Sequence, residues 1–393
     1  MQRGFQPAQS EHITARVITE VLTGLLGVAL LTCAFAADHR WLDRHFLPLY
    51  FVPRHSYVVA LWLGRAAACG MTLALVLRPR LGRLVSRVPA RTLLADAAPL
   101  LLAIALAVGA SELVLRHTFR HSGNEVLADE EPQRRLDAKL GWVFVPARTG
   151  RDTVEGRTIE YAFDSSGYRV WQSAEPVDPE LSTVVFTGES IMVGQGLSWE
   201  ETVPAQVETI LGIQSANLAV HGFSTDQAYI RLSAELPRFR RPVAVVSLFS
   251  PGLFNRNMDE DRPHLGPDLV WLPAKPRWRL ALIASIAVPY RSAEEIDRGV
   301  AMTLAVLRST IDLAHARGAM PLIVVPQFLP EDPTDRAVRR LVLDDASLPY
   351  LWVGLDPGWR LPHDLHPNAR AAHVIAVAIA HRLRDANVHA SGK

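Results

Sequence analysis

"VVFTGESIMVGQG", residues 184–196, runs an apolar β-branched stretch into a glycine, places Ser190 two residues later and breaks into further glycines. Such a run closing on Gly188 reads as a buried strand that ends in a tight turn. Working outward, short runs of the same kind recur as TVVFTG (183–188), SANLAV (215–220), VAVVSLF (243–249), MPLIVVP (320–326) and LPYLWVG (348–354). Helix-length amphipathic segments fall between and after them, near 202–212, 225–239, 294–317, 332–344 and 367–386. This alternation predicts parallel βαβ units, hence an α/β/α domain over 181–393 with a parallel sheet between two helical layers. In such sheets sites form at the carboxyl ends of the strands, where Ser190, Gly222, the 250–257 segment and the terminal "HDLHPN" (363–368) all fall.

Upstream the chain changes character. The 393 residues are 49% hydrophobic, and stretches 17–37, 57–77 and 95–115 are each about the ~20 residues that cross a bilayer as helix. They predict a membrane anchor over 1–116 with three transmembrane helices. Arg78, Arg80, Arg83, Arg87 and Arg91 crowd the second connection, which the positive-inside rule places in the cytoplasm. The expectation is therefore a multi-pass protein of a bacterial inner membrane whose part after 116 lies outside the cytoplasm. "AFA" at 34–36 has the look of a cleavage site, and its use would leave that orientation unchanged. Arg65, about eight residues into the second span, is expected to pair with Glu112. Residues 117–180 are polar, with alternation around "RTIEYAF" (157–163) that reads as a β-rich lead-in packing on the domain that follows.

The formal charge is +1, from 41 basic and 40 acidic side chains. With no basic-aromatic interleaving, nucleic acid is excluded as an expected partner. Cys33 and Cys69 are the only cysteines, so neither a disulfide framework nor a CxxC metal site can be built. No His/Asp/Glu group has convincing metal spacing, and neither metal nor cofactor is expected.

Ser190 sits in neither a GxSxG elbow nor a P-loop, since Ile191-Met192 follow it and no GK[ST] ends the turn. A serine at a strand end nevertheless faces free backbone N–H groups, and it becomes a nucleophile if it has a base and the base an orienter. "PHDLHPNARAAH" (362–373) supplies both, with Asp364 and His366 two residues apart just before a helix. The order "GES-I" (188–191), "NLAVHGFSTDQ" (217–227) and "DLHPNARAAHVIA" (364–376) resembles the SGNH (GDSL-type) hydrolase superfamily. The lead-in "LGWVFVP…DSSGYR" and "GQGLSWEETVPAQVETIL" resemble its membrane-anchored bacterial branch. The resemblance spans roughly 137–386. It implies a flavodoxin-like sheet, Ser190 as nucleophile, His366 as general base and Asp364 as its orienter, with the N–H groups of Ser190 and Gly222 as oxyanion donors.

Three positions depart from that pattern. Glu189 stands where the family has aspartate, Asp-x-His replaces the widespread Asp-x-x-His with His363 at the other position, and Gly252 falls where an asparagine completes the oxyanion hole. Asn255 is the candidate that reaches back as third donor. His221 and His373 are weighed as loop and helix histidines with minor roles. Trp271, Trp278, Trp352 and Trp359 either stack on a sugar or belong to core and rim. Two functions stay open. One is a membrane-tethered serine esterase or acyltransferase acting on ester-linked acyl groups, plausibly of envelope glycans or lipids. The other is a catalytically weak SGNH-like binding module in envelope polysaccharide assembly.

Overall fold

The computed structural model describes residues 16–17, 20–25, 27–28, 54–85, 90–118, 126, 130–154, 156–275, 278–281, 293–362, 364 and 366–386. The chain divides into two compact units, Met1–Arg120 with Arg277–Ala293, and His121–Pro276 with Glu294–Lys393.

The first unit contains helices α1 (Arg54–Val85) and α2 (Ala90–Thr118). Among the described residues no helix is long and apolar enough to cross a membrane. This corrects the expectation of three transmembrane helices, and with it the multi-pass inner-membrane placement. The physical reason is where charge falls. Arg65 and Arg78 bound an uncharged run of about a dozen residues in α1, ~18 Å of helix. Asp96 and Glu112 bound about 15 residues in α2, ~22 Å, whereas a hydrocarbon core is ~30 Å thick. Counting through these side chains makes spans of helices that are interrupted too soon. Stretch 17–37 lies largely outside the described residues, as do Cys33 and "AFA". Glu112, expected to meet Arg65, is buried, pairs with Arg116 at 2.9 Å and accepts from the backbone N–H of Arg279 and Leu280.

The second unit is built on one eight-stranded sheet. In chain order a small antiparallel pair, β1 (Arg134–Asp137) and β2 (Gly141–Phe144), precedes β3 (Thr149–Val154), β4 (Arg157–Phe163) and β5 (Arg169–Val170). Then follow β6 (Ser182–Thr187), the single turn α3 (Ser190–Val193), α4 (Val203–Leu211), β7 (Gln214–Asn217), α5 (Thr225–Glu235) and β8 (Arg241–Leu248). After a 3-10 segment, Pro251–Met258, a second short pair joins β9 (His264–Leu265) to β10 (Trp271–Leu272). The rest is α6 (Ala293–Ala316), β11 (Met320–Phe328), α7 (Pro333–Arg339), β12 (Leu351–Leu355) and α8 (Ala369–Asp385).

The sheet order is β12-β11-β8-β6-β7-β5-β4-β3. The first five strands pair in parallel, in the doubly wound order whose crevice opens between β6 and β8. The last three are antiparallel, so the sheet is mixed rather than parallel. The lead-in strands extend it through the single pair Arg169↔Asn217. Period-two alternation divides the core: Val184, Phe186, Ala244 and Val246 face α4 and α8, while Val185, Ala216 and Val245 face Leu232 of α5 and Ala314 of α6. Local chemistry fixes the helix ends. Thr202 and Asn368 cap α4 and α8 through their side chains, Ser224 and Gln227 form a capping box on α5, and Gly212 ends α4 in the left-handed region.

Candidate active site

Strand β6 delivers Ser190 to the crevice. Ser190 opens α3, and its hydroxyl is buried beside two partners. His366 Nε2 lies 2.7 Å from Oγ, and the Glu189 carboxylate is hydrogen-bonded to the same oxygen through Oε2. On its other side His366 meets Asp364, Nδ1 to Oδ1 at 2.6 Å, and its backbone N–H donates to the same carboxylate oxygen at 3.2 Å. The segment carrying this pair is pinned at both ends. Leu361 N–H donates to His366 O at 2.8 Å, Asn368 N–H to Trp359 O at 2.9 Å, and Asp364 N–H to Leu361 O at 3.1 Å. The structure thus brings Ser190, His366 and Asp364 into one chain of hydrogen bonds across 176 residues of sequence. His363 lies outside the described residues.

The loop after Ser190 is held by residues that no local sequence pattern singles out. Arg169 of β5 is fully buried and donates from Nη1 to Val193 O and Gly194 O, both at 2.7 Å, and from Nη2 to Leu197 O at 2.6 Å. Its guanidinium stacks 4.5 Å from the ring centroid of Tyr161 on β4, whose hydroxyl accepts from Gly196 N–H at 2.8 Å. Asn217, at the end of β7, adds a bond from Nδ2 to Met192 O at 3.0 Å. A cation and an amide therefore satisfy the carbonyls that a helix C-terminus leaves open. Burial lowers the Arg169 pKa to about 10, opposed by Tyr161, Glu200 and Glu201, so it stays charged at neutral pH. Gly194 has φ +82°, and a Cβ there would stand 2.5 Å from Thr202 Cγ2 and 3.1 Å from Arg169 Nη1; only glycine serves there.

Gly222, with φ +75°, occupies the loop after β7. Trp142 of β2 donates from Nε1 to His221 O at 2.7 Å. That carbonyl belongs to the same peptide unit as the Gly222 N–H, so the tryptophan fixes the plane of that unit and polarises its N–H. Arg262 grips the next carbonyl, Nη1 to Gly222 O at 2.6 Å, and lies over the Trp142 ring. Its burial lowers its pKa to about 10, against the attraction of Asp259. Neither the Ser190 nor the Gly222 backbone N–H has a hydrogen-bond partner among the described residues. Both are available to a developing negative charge.

Asn255 lies in the 3-10 segment, with Oδ1 buried and without a partner among the described residues. A Cβ on Gly252 would stand 3.3 Å from Asp335 Oδ1, so the α7 carboxyl borders the position that the asparagine of the resemblance would occupy. Arg256, from the same segment, approaches Glu189 Oε2 at 3.7 Å. His221, weighed as a solvated loop histidine, is packed edge-on against Phe144 with Nε2 buried and unpartnered among the described residues. Burial holds its pKa well below the usual value, helped by the charges of His366, Arg134, Arg169 and Arg256. His373 meets Gln206 on the outer face of α8 at 2.6 Å. Trp271, Trp278 and Trp352 are exposed, and Arg370 stacks on Trp359. Among the described residues no cluster suited to a metal ion occurs.

No family model matches the chain, and no curated protein does. Solved structures do. A lipolytic protein of the G-D-S-L family from Desulfitobacterium hafniense is 12% identical, with 51% of this chain and 98% of that one covered and a TM-score of 0.36. A member of the lipolytic G-D-S-L family from Veillonella parvula is 12% identical over 51% and 97%, TM-score 0.33. A carbohydrate esterase, whose active site is described as having divergent catalytic and non-catalytic binding functions, is 11% identical over 54% and 67%, TM-score 0.32.

Proposed function

We propose that the chain is a serine esterase of the SGNH type that removes or transfers an ester-linked acyl group. The Asp364–His366–Ser190 chain of hydrogen bonds carries this reading. Neutral His366 takes the Ser190 proton from Oγ through Nε2 as the serine attacks the acyl carbonyl. Asp364 holds the ring in the tautomer with Nδ1–H and stabilises the imidazolium that forms. The Ser190 and Gly222 amides receive the charge on the carbonyl oxygen. The imidazolium then protonates the departing alcohol, and water or an acceptor hydroxyl repeats the sequence on the acyl-enzyme.

The full chain should hydrolyse a short-chain p-nitrophenyl ester and be labelled by a fluorophosphonate at Ser190, with both lost in Ser190→Ala. Turnover that survives that change removes the serine from the mechanism. The binding-module reading is favoured by Gly252, which leaves the oxyanion hole without a side-chain donor at that position; it predicts glycan binding with neither turnover nor labelling.

A further inference from the structure

The Ser190 hydroxyl has one proton and two claimants. Oγ touches both His366 Nε2 and Glu189 Oε2, and a single O–H donates to only one of them. Two arrangements satisfy both contacts with the same number of protons. In the first, Glu189 is a carboxylic acid donating to Oγ, and the serine donates to neutral His366. In the second, His366 is an imidazolium donating from Nε2 to Oγ, and the serine donates to the Glu189 carboxylate. Only the first can react, because only there does Nε2 offer a lone pair to the serine proton.

We propose, resting on the reading of Ser190 as nucleophile, that Glu189 and His366 share one proton through the Ser190 hydroxyl and that Glu189 thereby sets the pH range of attack. The surroundings make this a real competition. Glu189 is buried, and its Oε1 has no partner among the described residues. No second donor therefore commits the carboxyl to its ionised form. Arg256, reaching in from the 3-10 segment at 3.7 Å, favours the carboxylate. Asp364 favours the imidazolium from the other end, while His221, its Nε2 buried, has its pKa held well below the usual value and so resists taking a charge. These are the groups that face the pair from β6, the 221–222 loop, the 3-10 segment and the 364–366 turn.

In the reactive arrangement the bonds balance without a co-reactant. The Ser190 O–H bond breaks and its proton passes to Nε2. The Oγ electron pair forms the bond to the acyl carbon, and the carbonyl π pair moves onto oxygen. Glu189 retains its own proton and keeps donating to Oγ. When the tetrahedral species collapses, the leaving oxygen takes the Nε2 proton. Because the proton is held jointly, removing the carboxylate changes how readily Nε2 offers its lone pair as well as how fast the serine reacts.

Glu189→Gln tests this. The amide still donates an N–H to Oγ but cannot hold the shared proton or stabilise the imidazolium. The acid limb of the rate profile, measured as kcat/KM for a p-nitrophenyl ester and as fluorophosphonate labelling of the full chain, should move to lower pH by at least about half a unit. A unit charge about 5 Å away gives that shift even at the dielectric of bulk water. On the limb this is about a threefold gain in the fraction of the plateau rate. Glu189→Asp, which draws the carboxylate back by one methylene, should move the limb the same way by less, and it serves if the glutamine variant does not fold. Superimposable normalised profiles for wild type and the folded variants overturn the proposal. Ser190→Ala separates the two levels: if it leaves turnover intact the esterase reading itself falls, whereas an inactive Ser190→Ala with unshifted Glu189 profiles sinks only the shared proton.

Discussion

Replacing Arg169 by methionine tests how the nucleophile loop is held. The substitution keeps most of the apolar stem and deletes a guanidinium whose three donated bonds, at 2.6–2.7 Å, end on Val193, Gly194 and Leu197 carbonyls. Hydrogen bonds to a charged donor are worth about 1.5–3 kcal/mol each. Part of that is returned because the cation no longer has to be desolvated, while each buried carbonyl left without a donor costs about 1–3 kcal/mol, so a net loss of about 3–5 kcal/mol is expected. At about 2–4 °C per kcal/mol for a unit of this size, the melting temperature should fall by roughly 6–20 °C, read by circular dichroism on the full chain. Arg169→Lys, which offers a point charge in place of the fork, should fall between. Esterase activity well below the melting range should drop in kcat with KM little changed, because the loop aims Ser190 rather than binding substrate. A melting shift under 2 °C with kcat unaltered would refute the view that this arginine organises the loop.

Ser190→Ala and His366→Ala should each lower kcat by about 10⁴-fold or more, with Asp364→Asn less severe, because the carboxylate orients the ring and does not take its proton. Trp142→Phe deletes the Nε1–H bond to His221 O; steady-state kinetics should show kcat down about 3–10-fold with KM preserved, and an unchanged kcat would mean the Gly222 peptide holds its plane unaided. His221, kept neutral by burial, takes up a proton near pH 6.5 only on unfolding. Its stabilising share is complete above that pH and is lost as pH falls below it, by up to about 1.4 kcal/mol per pH unit. Urea midpoints at pH 7 and pH 5.5 should therefore diverge more in wild type than in His221→Phe, and parallel declines would contradict the burial argument.

What the sequence made legible was the local part of the site. The runs at 183–188, 215–220 and 243–249 are patterns written within a dozen residues. So is the Asp364-x-His366 pair. What stayed illegible was non-local. β5 is two residues long, too short for any period, and it enters the sheet by one antiparallel pair with a strand that follows it by some forty positions. Arg169, Arg262 and Arg256 look like surface cations in a composition, because nothing local tells that carbonyls await them; a buried arginine is the exception to the usual partition. The helical stretches before residue 116 misled for another reason. Their average apolarity is high, while Arg65, Arg78, Asp96 and Glu112 limit each uncharged run.

The mixed sheet also has a bearing on how the chain comes into being. The strands that leave the ribosome first, β3 to β5, end at the sheet's edge and reach it only through β7, made later; β7 in turn needs β6 between itself and β8. Arg169 emerges 24 to 28 residues ahead of the carbonyls that receive it. Folding cannot proceed from the front of the nascent chain backward, and the earliest segment of this unit waits, its arginine unsheltered, until the middle has been synthesised. Contacts separated this far in sequence form slowly, so a pause in translation between residues 170 and 217 would lengthen the interval in which strand edges stand open to the wrong neighbour.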